Sequence, residues 1–326
     1  MKLKQIKRLD LGEFEKGTVT RCWLHIVNNG LGEPVRIPII VARGKKDGPV
    51  LGLTAALHGN ELNGIPVIQR IFKYLEMDQL CGTLVGVMVV NVPSVHLERR
   101  EAPDGTDLNR IAPGVANGNI SQVYIHRVID RIVKHFDFLI DLHTASFGRV
   151  NSFYVRADMS DEQTARMARL QNAEIILNNH PNDTTLRGAA ASLGIKSVTL
   201  ELKDPHLFQY DVIEHSVEGI HNVFYDLGMQ EGSITCGIKD TILCDNSYWM
   251  YTDEGGLLYV YPEVTQEIKK GERVGSVRNM FGDITKEYFA KEDGIIIGKS
   301  TNPINQTGSR IIHLGLNYHS VPCLVR

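Results

Sequence analysis

Four short apolar runs recur through the first two-thirds of the chain: "PVLGLTAAL" (49–57), "TLVGVMVVNV" (83–92), "FDFLIDLHT" (136–144) and "IKSVTLEL" (195–202). They do not alternate with polar residues, which predicts strands covered on both faces, as in a parallel or mixed sheet. Between them the period changes to that of a helix. "NGIPVIQRIFKYLEM" sets Val67, Ile68, Ile71, Phe72 and Leu75 on one face, with Pro66 in the first turn, where a missing N–H is tolerated. "SQVYIHRVIDRIVKHF" aligns Val128, Ile132, Val133 and Phe136 in the same way, and "DEQTARMARLQNAEIIL" and "YDVIEHSVEGIHNVFYDL" predict two more helices. Strand alternating with helix implies an α/β domain: a mixed, largely parallel sheet flanked by helices.

Near residue 230 the texture changes. After "LGMQEGS" come short strands divided by glycine, in "SYWMYTDEGGLLYVYP", "ERVGSVRNMFGD", "KEYFAKEDGIIIGKS" and "GSRIIHLG". No long helical period survives there. The expected organisation is an α/β domain over residues 1–232 and a smaller, all-β domain over 233–326.

Composition narrows the partners. With 326 residues, 43% of them hydrophobic and 22% charged, the chain reads as a soluble globular protein with a sizeable core. A net charge of −3 offers no broad basic field for nucleic acid. The N-terminal "MKLKQIKRLDLGEFEKG" has no apolar segment after its basic residues, so it is not read as a signal peptide, and no run approaches the length of a membrane span. The five cysteines, Cys22, Cys81, Cys236, Cys244 and Cys323, are odd in number and scattered. That argues against a disulfide framework or a cysteine-built metal site and points to a reducing cytoplasm.

The chemistry gathers at strand ends. Ligands of open α/β sheets sit beyond the carboxyl ends of the strands. The first predicted strand delivers His58 and Glu61 there, the third Asp141 and His143, and the fourth Glu201. His58 and Glu61 stand three apart, so a tight turn into a helix aims both at one point, with Gly59 giving the backbone freedom to turn. With His143 they make two histidines and a carboxylate, the ligand set of one class of hydrolytic zinc site. Asp141 shares a strand face with His143 and either orients a histidine or stands as a buried, paired or capping acid. The loop "LERREAPDGTDLNR" adds Arg99, Arg100, Asn109 and Arg110, and the planar fork of its arginines suits a carboxylate or a developing oxyanion; a solvated turn is the plainer alternative. His96, His126, His135, His180 and His206 fall outside the constellation. The aromatic residues Tyr248, Trp249, Tyr251, Tyr259 and Tyr261 read as packing for the β domain.

"HGNELNG", "DGTDLNR", "DLHT" and "VTLEL", in this order, resemble the succinylglutamate desuccinylase/aspartoacylase family of the zinc carboxypeptidase superfamily. The β-rich tail is similar to the barrel-sandwich domain of such deacylases. The resemblance implies a zinc carboxypeptidase-like fold, one Zn2+ per chain held by His58, Glu61 and His143, and Glu201 as the general base acting on zinc-activated water. It implies Arg99, with Arg100 beside it, as the oxyanion stabiliser, and Asn109 and Arg110 as the clamp on the substrate's α-carboxylate. Arg187 lies where family members carry another substrate-facing arginine. The implied activity is that of a metal-dependent hydrolase of linear amides, removing the acyl group from a small N-acyl amino acid or related carboxylate-bearing amide, with homo-oligomers open. One departure is that the family commonly continues E-x-G after the base, where this chain has Leu202 and Lys203. Two other readings compete: a carboxypeptidase acting on short peptides, and a non-catalytic binding protein on the same scaffold. A lipoyl or biotinyl carrier is disfavoured because the hairpin tip "VRNMFGD" holds no lysine.

Overall fold

The computed structural model describes residues 3–237 and 240–324. Fourteen strands among the described residues form one sheet, and the four anticipated strands sit at its centre. Lys46–Ala55 lies between Cys81–Val87 and Phe138–His143, and Lys196–Leu202 follows on the far side of Phe138–His143. All three of these pairings are parallel. Antiparallel additions flank this core: Thr18–Asn28 and Pro34–Arg43 on one side and Phe153–Ala157 on the other. The sheet is therefore mixed and largely parallel at its centre, as the unbroken apolar runs require.

Helices cover both faces. Ile120–Arg131 and Leu186–Ser192 pack on one side, where Ile125, Val128 and Ala190 are fully buried. Gly64–Lys73, Glu162–Arg169 and Tyr210–Asp226 cover the other through Val67, Met167 and Ile220. Local chemistry marks the helix starts. Asn119 and Gln122 form a reciprocal capping box at Ile120. Asn63, at the head of Gly64–Lys73, instead spends its amide on the Leu202 carbonyl, 2.8 Å away, tying the helix after Glu61 to the strand that bears Glu201.

One predicted helix is shorter than expected. In "DEQTARMARLQNAEIIL" the helix ends at Arg169, and Ile175–Asn178 is a buried strand. Asn172 breaks the helix with a φ of 55°, and the β-branched pair that follows is short, apolar and buried on both faces.

The tail from residue 240 is antiparallel and all β, with a second, four-stranded sheet of Ile284–Phe289, Arg273–Arg278, Gly256–Val260 and Ile304–Asn305. Hydrogen bonding nevertheless runs across the anticipated boundary. Residues 242–244 pair in parallel with 175–177, and 298–300 pair with 149–151. The scattered cysteines also differ from expectation: Cys236 and Cys323 are bonded, with Cα atoms 6.0 Å apart across 87 residues of sequence. Linear spacing hides that proximity, so cysteine scatter carries no argument here for a reducing compartment. No helix among the described residues is long and apolar enough to cross a membrane.

Candidate active site

The carboxyl ends of Lys46–Ala55 and Phe138–His143 bring His58, Glu61 and His143 into one buried cluster. The chain leaves the first strand through Ala56, which takes a φ of 52°. Gly59 serves a different purpose from the one its sequence position suggests. A Cβ there would lie 2.1 Å from the main chain of Ser94, so glycine is needed for close approach and not for an unusual φ. That approach lets the Gly59 N–H donate to the Arg99 carbonyl at 2.8 Å, locking the loop that carries the arginines beside the histidines.

Glu61 Oε1 lies 2.9 Å from His58 Nδ1, Glu61 Oε2 lies 2.9 Å from His143 Nδ1, and the two Nδ1 atoms are 3.2 Å apart. Behind each ring stands an acid. His143 Nε2 is 2.8 Å from Asp141 Oδ2, and His58 Nε2 is 3.1 Å from Asp107 Oδ1. Carboxylates only accept, so both Nε2 atoms carry protons and, in the neutral rings, both Nδ1 atoms turn lone pairs toward one another and toward Glu61. A proton satisfies one such pair; a divalent cation satisfies all three donors. Ligands about 2.0–2.1 Å from a tetrahedral Zn2+ sit about 3.3 Å from each other, close to the separations found here. The residues therefore fit the metal that the family resemblance implies.

The electrostatics agree. Burial disfavours charge on Glu61, yet the facing histidines outweigh it and hold its carboxyl well below the usual range. Burial likewise opposes a charge on His143, but Asp141 and Glu61 together pull its pKa well above the ordinary value. A positive charge at the centre is what these acceptors favour. Asp141 is fixed in turn by the Thr54 hydroxyl at 2.6 Å.

Glu201 arrives on the neighbouring strand, directly beside His143 in the parallel register and opposite Tyr154 in the antiparallel one. Asn151 Nδ2 donates to its Oε2 at 3.2 Å, and Arg156 Nε lies 3.6 Å from its Oε1. Arg156 also donates to the Tyr154 hydroxyl at 2.7 Å. These side chains line one cavity of about 920 Å³ together with Asn109, Arg110 and Arg187. That is room for a small molecule.

The other anticipated residues are placed unevenly. Arg100, not Arg99, reaches the cluster: it donates to Glu61 Oε1 at 3.0 Å and to Asp107 Oδ2 at 3.0 Å, and also to Ser146 Oγ. Arg99 is exposed at the cavity rim. The spacing held the clue, since an R-x-x-P count back from Pro103 lands on Arg100. Arg110 is exposed at the rim, and the Asn109 side chain accepts from the Leu186 N–H at 2.7 Å. Arg187 is buried and donates to the Asn179 carbonyl and side-chain oxygens. Asp107, Ser146, Asn151, Tyr154 and Arg156 had drawn no role from the sequence. Asp107 stood inside a motif already singled out, whereas the Tyr154 and Arg156 signal required knowing that Phe153–Ala157 is a strand. His206, outside the constellation in the sequence, lines the rim and meets the exposed Phe147 edge-on at 5.9 Å.

The residues matching the Succinylglutamate desuccinylase/Aspartoacylase catalytic domain span 47–225. The chain belongs to the succinylglutamate desuccinylase/aspartoacylase family. Within this family it is 24% identical over 280 residues to the N-alpha-acetyl-L-2,4-diaminobutyric acid deacetylase of Halomonas elongata, covering 81% of each protein. It is 30% identical over 172 residues to the succinylglutamate desuccinylase of Pseudomonas paraeruginosa, covering 48% of this chain and 52% of that one. The fold is similar to a succinylglutamate desuccinylase/aspartoacylase structure from Rhodobacter sphaeroides, with a TM-score of 0.85, 20% identity and coverage of 97% and 100%. It is also similar to the product-bound ectoine utilization protein EutE (DoeB) from Ruegeria pomeroyi, with a TM-score of 0.82, 20% identity and coverage of 92% and 95%.

The family departure at Lys203 has a backbone explanation. Lys203 adopts a φ of 56°, a conformation glycine takes without strain, and its ammonium pairs with Asp211 at 2.7 Å. It does not line the cavity. Lys203→Gly is therefore expected to leave stability within about 1 kcal/mol, relief of the left-handed strain offsetting a partly exposed ion pair, and turnover within about threefold. Urea melts and kcat/KM measure this; a tenfold loss of kcat/KM would mean that the lysine reaches the substrate.

Proposed function

We propose that this protein is a zinc-dependent amidohydrolase that removes the acyl group from a small, carboxylate-bearing N-acyl amino acid. The observation that carries the reading is the pair of Nδ1 atoms facing each other at 3.2 Å beside Glu61, each ring braced from behind by an aspartate. His58, Glu61 and His143 would hold the metal. When bound, Zn2+ acidifies a water to near neutrality and polarises the amide carbonyl.

The chain's own groups supply the rest. Glu201 accepts the water's proton and returns it to the departing amine. Asn151 and Arg156 hold its carboxylate in place. Arg100, braced by Asp107, presents a fixed guanidinium to the charge that develops on the amide oxygen. Asn109 and Arg110, at the cavity rim, engage the α-carboxylate, and Arg187 stiffens that wall from within. The names of the relatives support the reaction class, since they are a deacetylase and a desuccinylase of amino acids.

The test is hydrolysis of a panel of N-acetyl and N-succinyl amino acids by the purified protein, before and after chelation and zinc readdition. Turnover that vanishes with chelator and returns with about one equivalent of zinc is expected. Turnover indifferent to the metal, or none on any member, rules the reading out.

A further inference from the structure

Resting on the amidohydrolase reading above, the structure assigns Asn60 as a further catalytic residue: its side-chain oxygen accepts the N–H of the substrate's scissile amide. Among the described residues that line the cavity, two carry a buried polar atom without a hydrogen bond, Arg310 Nε and Asn60 Oδ1. The first is a donor. The second is an acceptor, on a residue only 1% exposed.

The other amides of this region are committed. Asn109 Oδ1 accepts from the Leu186 N–H at 2.7 Å, Asn179 Oδ1 accepts from Arg187 Nη2 at 2.6 Å, and Asn151 Nδ2 donates to Glu201 Oε2 at 3.2 Å. Asn63, one turn beyond Asn60, accepts from the Gln209 N–H at 3.0 Å. A buried carbonyl oxygen without a donor opposes folding, so its presence in a cavity wall calls for a ligand that completes it.

The main chain around Asn60 is pinned. The Gly59 N–H donates to the Arg99 carbonyl at 2.8 Å, the Glu61 N–H to the His58 carbonyl at 3.2 Å, and the Asn60 carbonyl accepts from the His206 N–H at 2.9 Å. The side-chain amide is therefore presented from a fixed base, as a preorganised contact requires.

The substrate brings the matching donor. A linear N-acyl amino acid carries a carboxylate, a carbonyl oxygen and one amide N–H into the cavity. Asn109 and Arg110 engage the first and Arg100 the second, which leaves the N–H for Asn60 Oδ1. The strand that leads to Asn60, Lys46–Ala55, and the strand that bears Glu201, Lys196–Leu202, flank Phe138–His143. Asn60 and Glu201 thus reach the site from opposite sides of the strand that carries His143. A nitrogen whose hydrogen is held by Asn60 turns its lone pair away, toward Glu201. That lone pair takes the proton that Glu201 received from water, the carbon–nitrogen bond then breaks with its electrons passing to nitrogen, and the amine leaves. The substrate is accordingly a secondary amide. A ketone or ester with CH2 or oxygen in place of the N–H leaves Asn60 Oδ1 unpaired and is disfavoured.

The experiment uses the full-length, zinc-loaded protein carrying Glu201→Gln, so that binding is read without turnover. N-acetyl-alanine and 2-methyl-4-oxopentanoate, the same skeleton with CH2 in place of the N–H, are titrated by calorimetry. The amide is expected to bind at least about tenfold more tightly, and adding Asn60→Leu should erase that preference. Leucine keeps the branched shape and removes a buried, unpaired oxygen, so the melting temperature should hold or rise, a response that a merely structural asparagine does not give. A lowered melting temperature, equal affinity for the two probes, no binding of either, or a preference that survives Asn60→Leu overturns the assignment. In parallel, with Glu201 intact, kcat/KM is measured for the panel amide that is turned over fastest and for the ester with oxygen in place of its N–H. Asn60→Leu should lower the amide value at least about tenfold and leave the ester within about threefold. An equal loss on both, or none on either, overturns the assignment. If no amide of the panel is hydrolysed, the amidohydrolase reading fails while the calorimetry still decides the role of Asn60.

Discussion

Replacing Glu201 by glutamine is expected to lower kcat about 10³-fold while leaving one zinc per chain in place, the loss typical of a missing general base or acid. The substitution keeps the shape and an oxygen able to accept from Asn151 Nδ2, now 3.2 Å away, but it removes the carboxylate that takes the proton. Arg156 loses a charge partner at 3.6 Å and keeps its bond to the Tyr154 hydroxyl at 2.7 Å, so local geometry should survive. A 10³-fold loss corresponds to about 4 kcal/mol of barrier, far more than such a rim adjustment supplies. Steady-state kinetics and elemental analysis on the same preparation separate the two effects. A kcat within tenfold of the parent protein would remove Glu201 from the proton-transfer role.

Legibility from the sequence followed the range of the interactions. The central strands were readable because burial on both faces leaves unbroken apolar runs, and the helix Gly64–Lys73 because one face repeats at helical spacing. That His58, Glu61 and His143 cluster was legible because the histidines follow apolar strand runs, where a polar residue is conspicuous, and Glu61 stands three residues beyond His58. The choice between Arg99 and Arg100 is a one-residue question that periodicity cannot answer. In the fold the Gly59 N–H donates to the Arg99 carbonyl, and the next side chain, Arg100, faces the cluster. Asp107 shares the difficulty in another form, since bracing His58 is a contact across 49 residues. The Cys236–Cys323 bond and the strand pairing of 242–244 with 175–177 are equally non-local. Trp249 shows the limit of composition. In an aromatic-rich stretch it reads as core, and only the strand order carries it to the cavity.

The second large effect separates a metal ligand from the residue that aims it. His143→Ala is expected to abolish stoichiometric zinc binding and to reduce turnover at least 10³-fold, because two remaining donors do not define a hydrolytic site. Asp141→Asn should behave differently. Asp141 uses both oxygens, Oδ1 accepting from the Thr54 hydroxyl at 2.6 Å and Oδ2 lying 2.8 Å from His143 Nε2. An asparagine has only one, and with that oxygen turned to Thr54 its amide presents an N–H to the ring, which favours the opposite tautomer and turns the proton toward Glu61 and His58. Zinc affinity should fall about 10–100-fold, the usual cost of losing an orienting carboxylate, while saturating zinc should return most of the turnover. Competition titrations against a chromophoric chelator read the first quantity and kcat at rising zinc the second. Were both variants to retain one tight zinc per chain, the ligand assignment to His143 would have to be given up, although its Nδ1 faces that of His58 at 3.2 Å.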